Sequence, residues 1–237
     1  MVDIFVGIGV FDDGISFLMK SKNNPPRLAI FLAVLAFICS VYFANGGQIR
    51  FQDVPIDVAI QNLVRQTGQN YIMSPRLTDD LDADGKPVKK PVITFQGDVT
   101  PAELLAKILK ENGLVMVDDP VTTVARITFT NEPPRKADAS LLAGDTNAPN
   151  PIIMLADVPL GDAVRSLAKA ANLKVTIDPK LSDPFADGKF VPVPQVSVRW
   201  ENITARQALL AVAANYDLTI TPDKQTGTWR VEKKDRP

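Results

Sequence analysis

The 237-residue chain contains no histidine and a single cysteine, Cys39. The first absence removes every histidine-based catalytic dyad or triad and every imidazole metal site. The second rules out an intrachain disulfide, which is compatible with an oxidising compartment without requiring one. Neither sign of charge is in excess: 26 basic and 27 acidic residues leave a net charge of −1. Residues 1–27 hold three of each sign, so the rest of the chain is also at −1 and offers no large positive field for a nucleic acid. Aromatic residues make up 7% of the chain, and no strand has the aromatic density that stacks bases. The basic cluster Lys233, Lys234 and Arg236 reads as a solvated tail.

Long apolar runs are also scarce. The one that stands out, residues 28–44, is seventeen residues without a charge, at the short end of what spans a bilayer. Lys20, Lys22 and Arg27 precede it and the next basic residue is Arg50, so the expected orientation leaves residues 1–27 in the cytoplasm and the rest outside. A cleaved signal peptide competes with this anchor. Ala44 and Gly46 are small residues at the two positions a peptidase reads, and a start at Met19 would give an ordinary n-region. Against cleavage, the run is longer than a typical h-region and ends in bulky Tyr42 and Phe43. Cys39, preceded by Ile38, reads as a membrane residue rather than a lipid-attachment site.

What the chain does have is one unit present twice. A shift of 104 positions carries Asp53 onto Asp157, Pro55 onto Pro159, Leu63 onto Leu167, Pro75 onto Pro179, Val92 onto Val196, Thr100 onto Thr204, Leu105 onto Leu209 and Arg126 onto Arg230. In the first copy, residues 48–52 alternate as a strand. Pro55 sits where a helix can begin, and Ala59, Ile60, Leu63 and Val64 form an apolar stripe at helical spacing, stopped by Gly68. Tyr71, Ile72 and Met73 are a short strand, and residues 92–95 another. Thr100, Pro101 and Glu103 form a capping box that opens a helix with Leu104, Leu105, Ile108 and Leu109 on one face. Residues 115–117 and 125–129 are two further strands around a turn at Asp118, Asp119 and Pro120. The second copy keeps each element, with Asn172 for Gly68, a capping box at Thr204 and Gln207, and a last strand at residues 228–232. Trp200 and Trp229 read as packing residues.

The expected organisation is a cytoplasmic segment at 1–27, a transmembrane or signal helix at 28–44, one small domain at 48–130, a linker at 131–151 and a second domain at 152–235. Each domain is of the α/β (α+β) class, with two helices packed on short sheets. The linker holds four prolines and little apolar material, which predicts exposure and relative movement unless the modules pack directly.

The pattern of strand, Asp53-Val54-Pro55, helix, Thr67-Gly68-Gln69-Asn70, strand, Pro75, variable loop, strand, Thr100-Pro101-Ala102-Glu103-Leu104-Leu105 helix, Gly113-Leu114, strand resembles the short N-terminal domain shared by secretins and TonB-dependent receptors (STN). Both copies resemble it. The second departs at Ala171-Asn172-Leu173-Lys174, which puts any shared surface at that corner in doubt. The resemblance implies a periplasmic, non-catalytic module that binds envelope proteins such as secretins or other secretion components. No barrel sequence follows residue 237, so the expected role is an accessory scaffold of a type II secretion or type IV pilus-like assembly, with a homo-oligomer open. A soluble module in TonB-receptor-type signalling is the alternative.

Three chemical readings compete with that one. Asp80, Asp82, Asp84 and Gly85 match the first half of a calcium loop, but the twelfth position is Pro91 where a bidentate Glu belongs, and the second copy keeps only Asp183, Asp187 and Gly188. The pairs Asp79-Asp80 and Asp118-Asp119 are the candidates for a carboxylate-based hydrolase, yet both sit in turn-like segments and no nucleophile with an adjacent base is visible. The remaining candidate is a free sheet edge, expected at residues 125–129 and 228–232, for β-augmentation by a partner. No catalytic, cofactor, metal or partner-binding residue is assigned on these grounds.

Overall fold

The structure is a computed structural model, described here for residues 48–81, 85–142, 148–186, 188 and 190–234. The expected membrane or signal helix at residues 28–44 lies outside them. Among the described residues no helix is long and apolar enough to cross a membrane.

Each copy of the unit folds the same way, into a mixed α/β arrangement of short sheets and helices. In the first, β1 (Gln48–Pro55) pairs antiparallel with β3 (Val92–Asp98), while β2 (Tyr71–Met73), β5 (Ala125–Phe129) and β4 (Leu114–Val117) form a second sheet in that order. Two helices, α1 (Ile56–Thr67) and α2 (Pro101–Glu111), close the core between the sheets. The second copy repeats this with β6 (Asn150–Pro159), α3 (Leu160–Ala170), β7 (Val175–Ile177), β8 (Gln195–Ile203), α4 (Ala205–Asn215), β9 (Leu218–Asp223) and β10 (Thr228–Lys233), paired as β6–β8 and β7–β10–β9.

Both helical stripes of the first repeat are buried as expected, from Ala59, Ile60, Leu63 and Val64 to Leu104, Leu105, Ile108 and Leu109. Both capping boxes form. The Thr100 and Thr204 hydroxyls accept from the backbone N–H groups of Glu103 and Gln207, whose side chains accept from the threonine N–H groups. Gly68 and Asn172 take positive φ of 71° and 56° just past their helices. Pro55 and Pro159 close their strands and stand as the N-cap residues of α1 and α3, one position before the first helical residue. The first helical N–H groups, of Ile56 and Leu160, donate to the Pro91 and Pro194 carbonyls at 2.9 Å.

The paired Asp-Val-Pro motifs mark bulges. Asp53 and Asp157 take φ of 51° and 50° where the β1 and β6 registers shift. Aspartate tolerates this region better than most residues because its short side chain can close a local hydrogen bond. Asp53 N–H donates to Thr94 Oγ1 at 3.1 Å and that hydroxyl donates back to Asp53 Oδ1 at 2.9 Å. Asp157 makes the same exchange with Ser197.

Three expectations are corrected by the structure. The strands at 125–129 and 228–232 are not edges: β5 and β10 each lie between two neighbours, leaving β2, β4, β7 and β9 outside. A single shift of 104 does not hold throughout. Val54 faces Ile93 and Val158 faces Val196, so the counterpart of Val196 is Ile93, not Val92. The second loop is one residue shorter, and Asn202, at φ 56°, is the extra residue that restores the shift before Thr204. Finally, the proline-rich segment, exposed at most of its described positions as expected, is no free tether. It buries Leu141 and carries Glu132 and Arg135 into the protein, with side chains only 4% and 12% exposed. The described residues accordingly form one compact unit, with repeats that pack directly.

Replacing Asp53 by alanine removes the carboxylate that accepts from the Thr94 hydroxyl, keeps the backbone N–H bond to that hydroxyl, and leaves a Cβ residue in the left-handed region. The expected loss is about 1–2 kcal/mol in chemical denaturation, with glycine at the same position recovering part of it.

Candidate functional site: the junction between the repeats

The junction is built on the backbone of β2. In a parallel pairing with β5, the carbonyls of Tyr71 and Met73 face away from the sheet, and at this position they are buried. Two side chains of the second repeat satisfy them. Trp200, fully buried on β8, donates its indole N–H to the Tyr71 carbonyl at 2.7 Å, and Asn215, fully buried at the end of α4, donates its amide to the Met73 carbonyl at 2.8 Å. Asn70 and Glu201 exchange a side-chain and a backbone bond, both 2.8 Å, at the exposed rim. Ile72 and Val124 of the first repeat are part of the second repeat's hydrophobic core.

A charged cluster surrounds Asn215. Its Oδ1 accepts from Arg126 Nε at 2.9 Å, and Arg126 Nη2 lies 2.8 Å from Glu132. Glu132 also accepts from Ser74 at 2.9 Å and Thr128 at 2.8 Å, with Arg76 and Arg135 at 3.6 and 3.8 Å. Burial pushes the Glu132 carboxyl up. Hydrogen bonds from Thr128 and Ser74 and the Arg126 charge outweigh it, so its pKa lies below the usual value. Arg135 donates to the Asn215 carbonyl and pairs with Asp217 at 2.9 Å. The segment joining the repeats thus supplies the carboxylate that makes a buried arginine tolerable at their interface.

Beside the junction is a cleft of about 430 Å³, bordered by Asp79, Leu160, Val191, Tyr216 and Lys233. Asp79 is the member of the Asp79-Asp80 pair that the fold partly buries. Desolvation pushes its carboxyl up to about 6, against the lowering effect of Lys90, while neighbouring Asp80 raises it further and Lys233 lowers it. Asp80 itself is held by Lys90 at 2.7 Å, and Lys90 also binds Asp57 at 2.7 Å and the Thr78 carbonyl at 2.7 Å. The calcium-like loop therefore spends its first carboxylate on a lysine. Asp82, Asp84 and Asp187 lie outside the described residues, and among the described residues no cluster of acidic or sulfur side chains has the makings of a metal site.

The pair Asp118-Asp119 is taken up in turn chemistry. Asp118 accepts from Gln69 Nε2 at 2.9 Å and Asp119 from the Val121 N–H at 2.9 Å. The structure does not bring these two residues to Asp79 in one site. Trp229 lies on β10 opposite Val175 and Pro222, half-buried. Sequence reasoning took Trp200 as packing but missed its hydrogen bond, and it missed Asn215 altogether. The available signal was α4 itself: residues 208–213 are apolar without interruption, where α2 shows one stripe, and a helix apolar all round is covered on all sides.

Comparison of the chain with protein-family models, with curated proteins and with solved structures found no match.

Two outcomes test this geometry. Asn215→Ala strips the partner from both Arg126 and the Met73 carbonyl. It should cost about 2–4 kcal/mol in chemical denaturation and separate the far-UV circular dichroism and tryptophan fluorescence transitions, which a single cooperative unit is expected to show as coincident in the native chain. Asp79→Asn addresses the raised pKa. The folded protein holds this proton more tightly than the unfolded chain, so native stability falls as pH rises from about 4 through about 6. The Asn variant should therefore melt higher than the native chain at pH 7.5, with the gap shrinking toward zero near pH 4.

Proposed function

We propose that this chain is a non-catalytic protein-binding scaffold of the cell envelope, presenting two STN-like modules on the periplasmic side of the inner membrane. Residues 28–44 serve as its anchor, and the machine it serves is a type II secretion or type IV pilus-like assembly. The observation that carries the reading is the junction. Two copies of one fold are locked into a single unit through Trp200 and Asn215, a construction suited to offering surfaces at a fixed spacing. The residue pattern that resembles secretin and TonB-receptor N-terminal domains supplies the cellular setting. Three of the four carboxylates in the acidic pairs support the same reading, because Asp80, Asp118 and Asp119 are each engaged by a lysine, a glutamine or a backbone N–H, while Asp79 alone borders a cleft.

A second reading keeps the binding role but releases the chain as a soluble periplasmic module after cleavage near Gly46; the small residues Ala44 and Gly46 favour it.

The test is affinity purification of the tagged full chain from detergent-solubilised membranes, with mass spectrometry of its companions and of its own N-terminus. The anchored scaffold predicts retention of residues 1–44 and recovery of a secretin or another secretion component. Recovery from the soluble periplasmic fraction, alone and beginning near Gly47, would sink it.

A further inference from the structure

The junction closes one edge of the first repeat's second sheet and leaves the other open. Among the described residues β4 pairs only with β5, and the direction of its free groups follows from the register. Thr130 N–H donates to the Gly113 carbonyl at 2.9 Å, so the directly opposed pairs Val115–Thr128 and Val117–Arg126 are the hydrogen-bonded ones. The N–H and C=O groups of Leu114 and Met116 then point away from the sheet. The acceptance of Ser74 N–H by Ile127 O, on the β2 side of β5, agrees with this alternation.

Over the face of the sheet that ends at that edge the protein is concave. A cleft of about 430 Å³ runs between Val115 and Val117 of β4, Ala211 and Ala214 of α4, and Pro134 and Ala137 of the connecting segment. It is continuous with the junction, since Ile72, Arg126 and Asn215 also border it. Val115 and Val117 are 37% and 47% exposed. The second repeat provides an internal control. On β9, the positions of Val115 and Val117 are occupied by Thr219 and Thr221, followed by Pro222. The fold therefore does not require valine at either place. Proline and polar residues are a common way to blunt a sheet edge, and β4 has neither.

We propose that β4 receives an extended segment of a partner protein as an added antiparallel strand. That segment places small β-branched or apolar side chains at alternate positions into the cleft and a basic residue at its N-terminal end. This deepens the scaffold reading and rests on it. Only an extended backbone matches the outward groups of Leu114 and Met116. The basic residue follows from Asp118 and Asp119, which border the cleft directly after Val117, where an antiparallel strand would begin. A second copy of the chain fits less well. Pairing β4 with itself through Leu114 and Met116 puts Val115 on the two-fold axis and brings Asn112 and Gly113 of the other copy, not a basic residue, toward Asp118.

The probe is the peptide acetyl-Lys-Val-Thr-Val-Thr-Val-amide, titrated into the full chain in detergent, with residue-resolved amide hydrogen exchange as the readout. The expected result is exchange slowed at least tenfold at Leu114 and Met116, with β9 unaffected. The same peptide carrying proline at both threonine positions should give no protection. V115T/V117T, which copies the second repeat's residues and so leaves the fold intact, should weaken binding about tenfold. Unchanged exchange at Leu114 and Met116, or equal binding by V115T/V117T, overturns the proposal. So does a concentration-dependent dimer, in sedimentation, that V115T/V117T dissolves. The two readings fail separately: a chain that recovers no envelope partner could still take the peptide, and a chain that ignores the peptide could still recover one.

Discussion

The structure depends on how the outer edge of β2 is satisfied. Buried backbone carbonyls at a sheet edge must find donors, and Tyr71 and Met73 find theirs on another repeat, in Trp200 and Asn215. Much else follows from that requirement. For Asn215 to reach Met73, α4 must lie against the first repeat's sheet as well as its own core, so residues 208–213 are apolar on every side. The Asn215 amide oxygen then needs a donor, which Arg126 provides, and the Arg126 charge needs a carboxylate. Glu132 provides it from just beyond β5, with Ser74 and Thr128 filling its remaining acceptor sites. The connecting segment is pinned because the junction uses one of its side chains.

The same requirement explains why two repeats do not imply an open-ended array. By register, the position of Trp200 corresponds to Gly97 in the first repeat. By helix alignment, Ala211 and Asn215 correspond to Lys107 and Glu111. Lys107 and Glu111 are exposed, 4.0 Å apart in an i,i+4 pair, and Lys107 lies over the Phe95 ring. The first repeat cannot dock through this surface as the second does. On the other side, the face of the second repeat equivalent to the β2–β5–β4 back surface shows Thr176, Arg230 and Glu232. The duplicated fold has diverged so that one contact forms and neither end repeats it.

How much of this could be read from the sequence divides along a physical line. Signals that act within a few residues were legible: two capping boxes, Gly68 and Asn172 past their helices, and the apolar stripes of α1 and α2. The order of strands in each sheet was not. β5 and β10 come last in each repeat, yet they slot between earlier strands, because β2 and β7 pair with them in parallel after long excursions of the chain. Sequence order carries no mark of that insertion. Composition was right about the exposure of most of the connecting segment but silent about what pins it. Proline and charge usually mean exposure, but Glu132 is a charge buried among Ser74 just past β2, Arg126 and Thr128 of β5, and Arg135 of the segment itself. The uniform shift of 104 hid a one-residue deletion in a loop and its compensation at Asn202, which only the strand register exposes. Of the candidate site, Trp200 was noticed for its size, while Asn215 gave no signal apart from the unbroken apolar run before it.

The divergence of the two repeats is itself informative about where contacts are made. A shared fold subtracts out whatever the fold needs, and what remains at equivalent exposed positions is free to serve something else. On β1 the outward residues are Gln48 and Arg50, whereas on β6 the equivalent positions are Ile152 and Met154, 55% and 69% exposed. On the second sheets the bias runs the other way, with valines in the first repeat and threonines in the second. Each repeat therefore keeps one apolar strand surface and has made the other polar, and the two surfaces lie on different kinds of sheet. A molecule whose repeats did the same job would not be expected to alternate in this way. A junction that fixes the repeats relative to each other makes the alternation useful, because two unlike surfaces are then held at one spacing on one body.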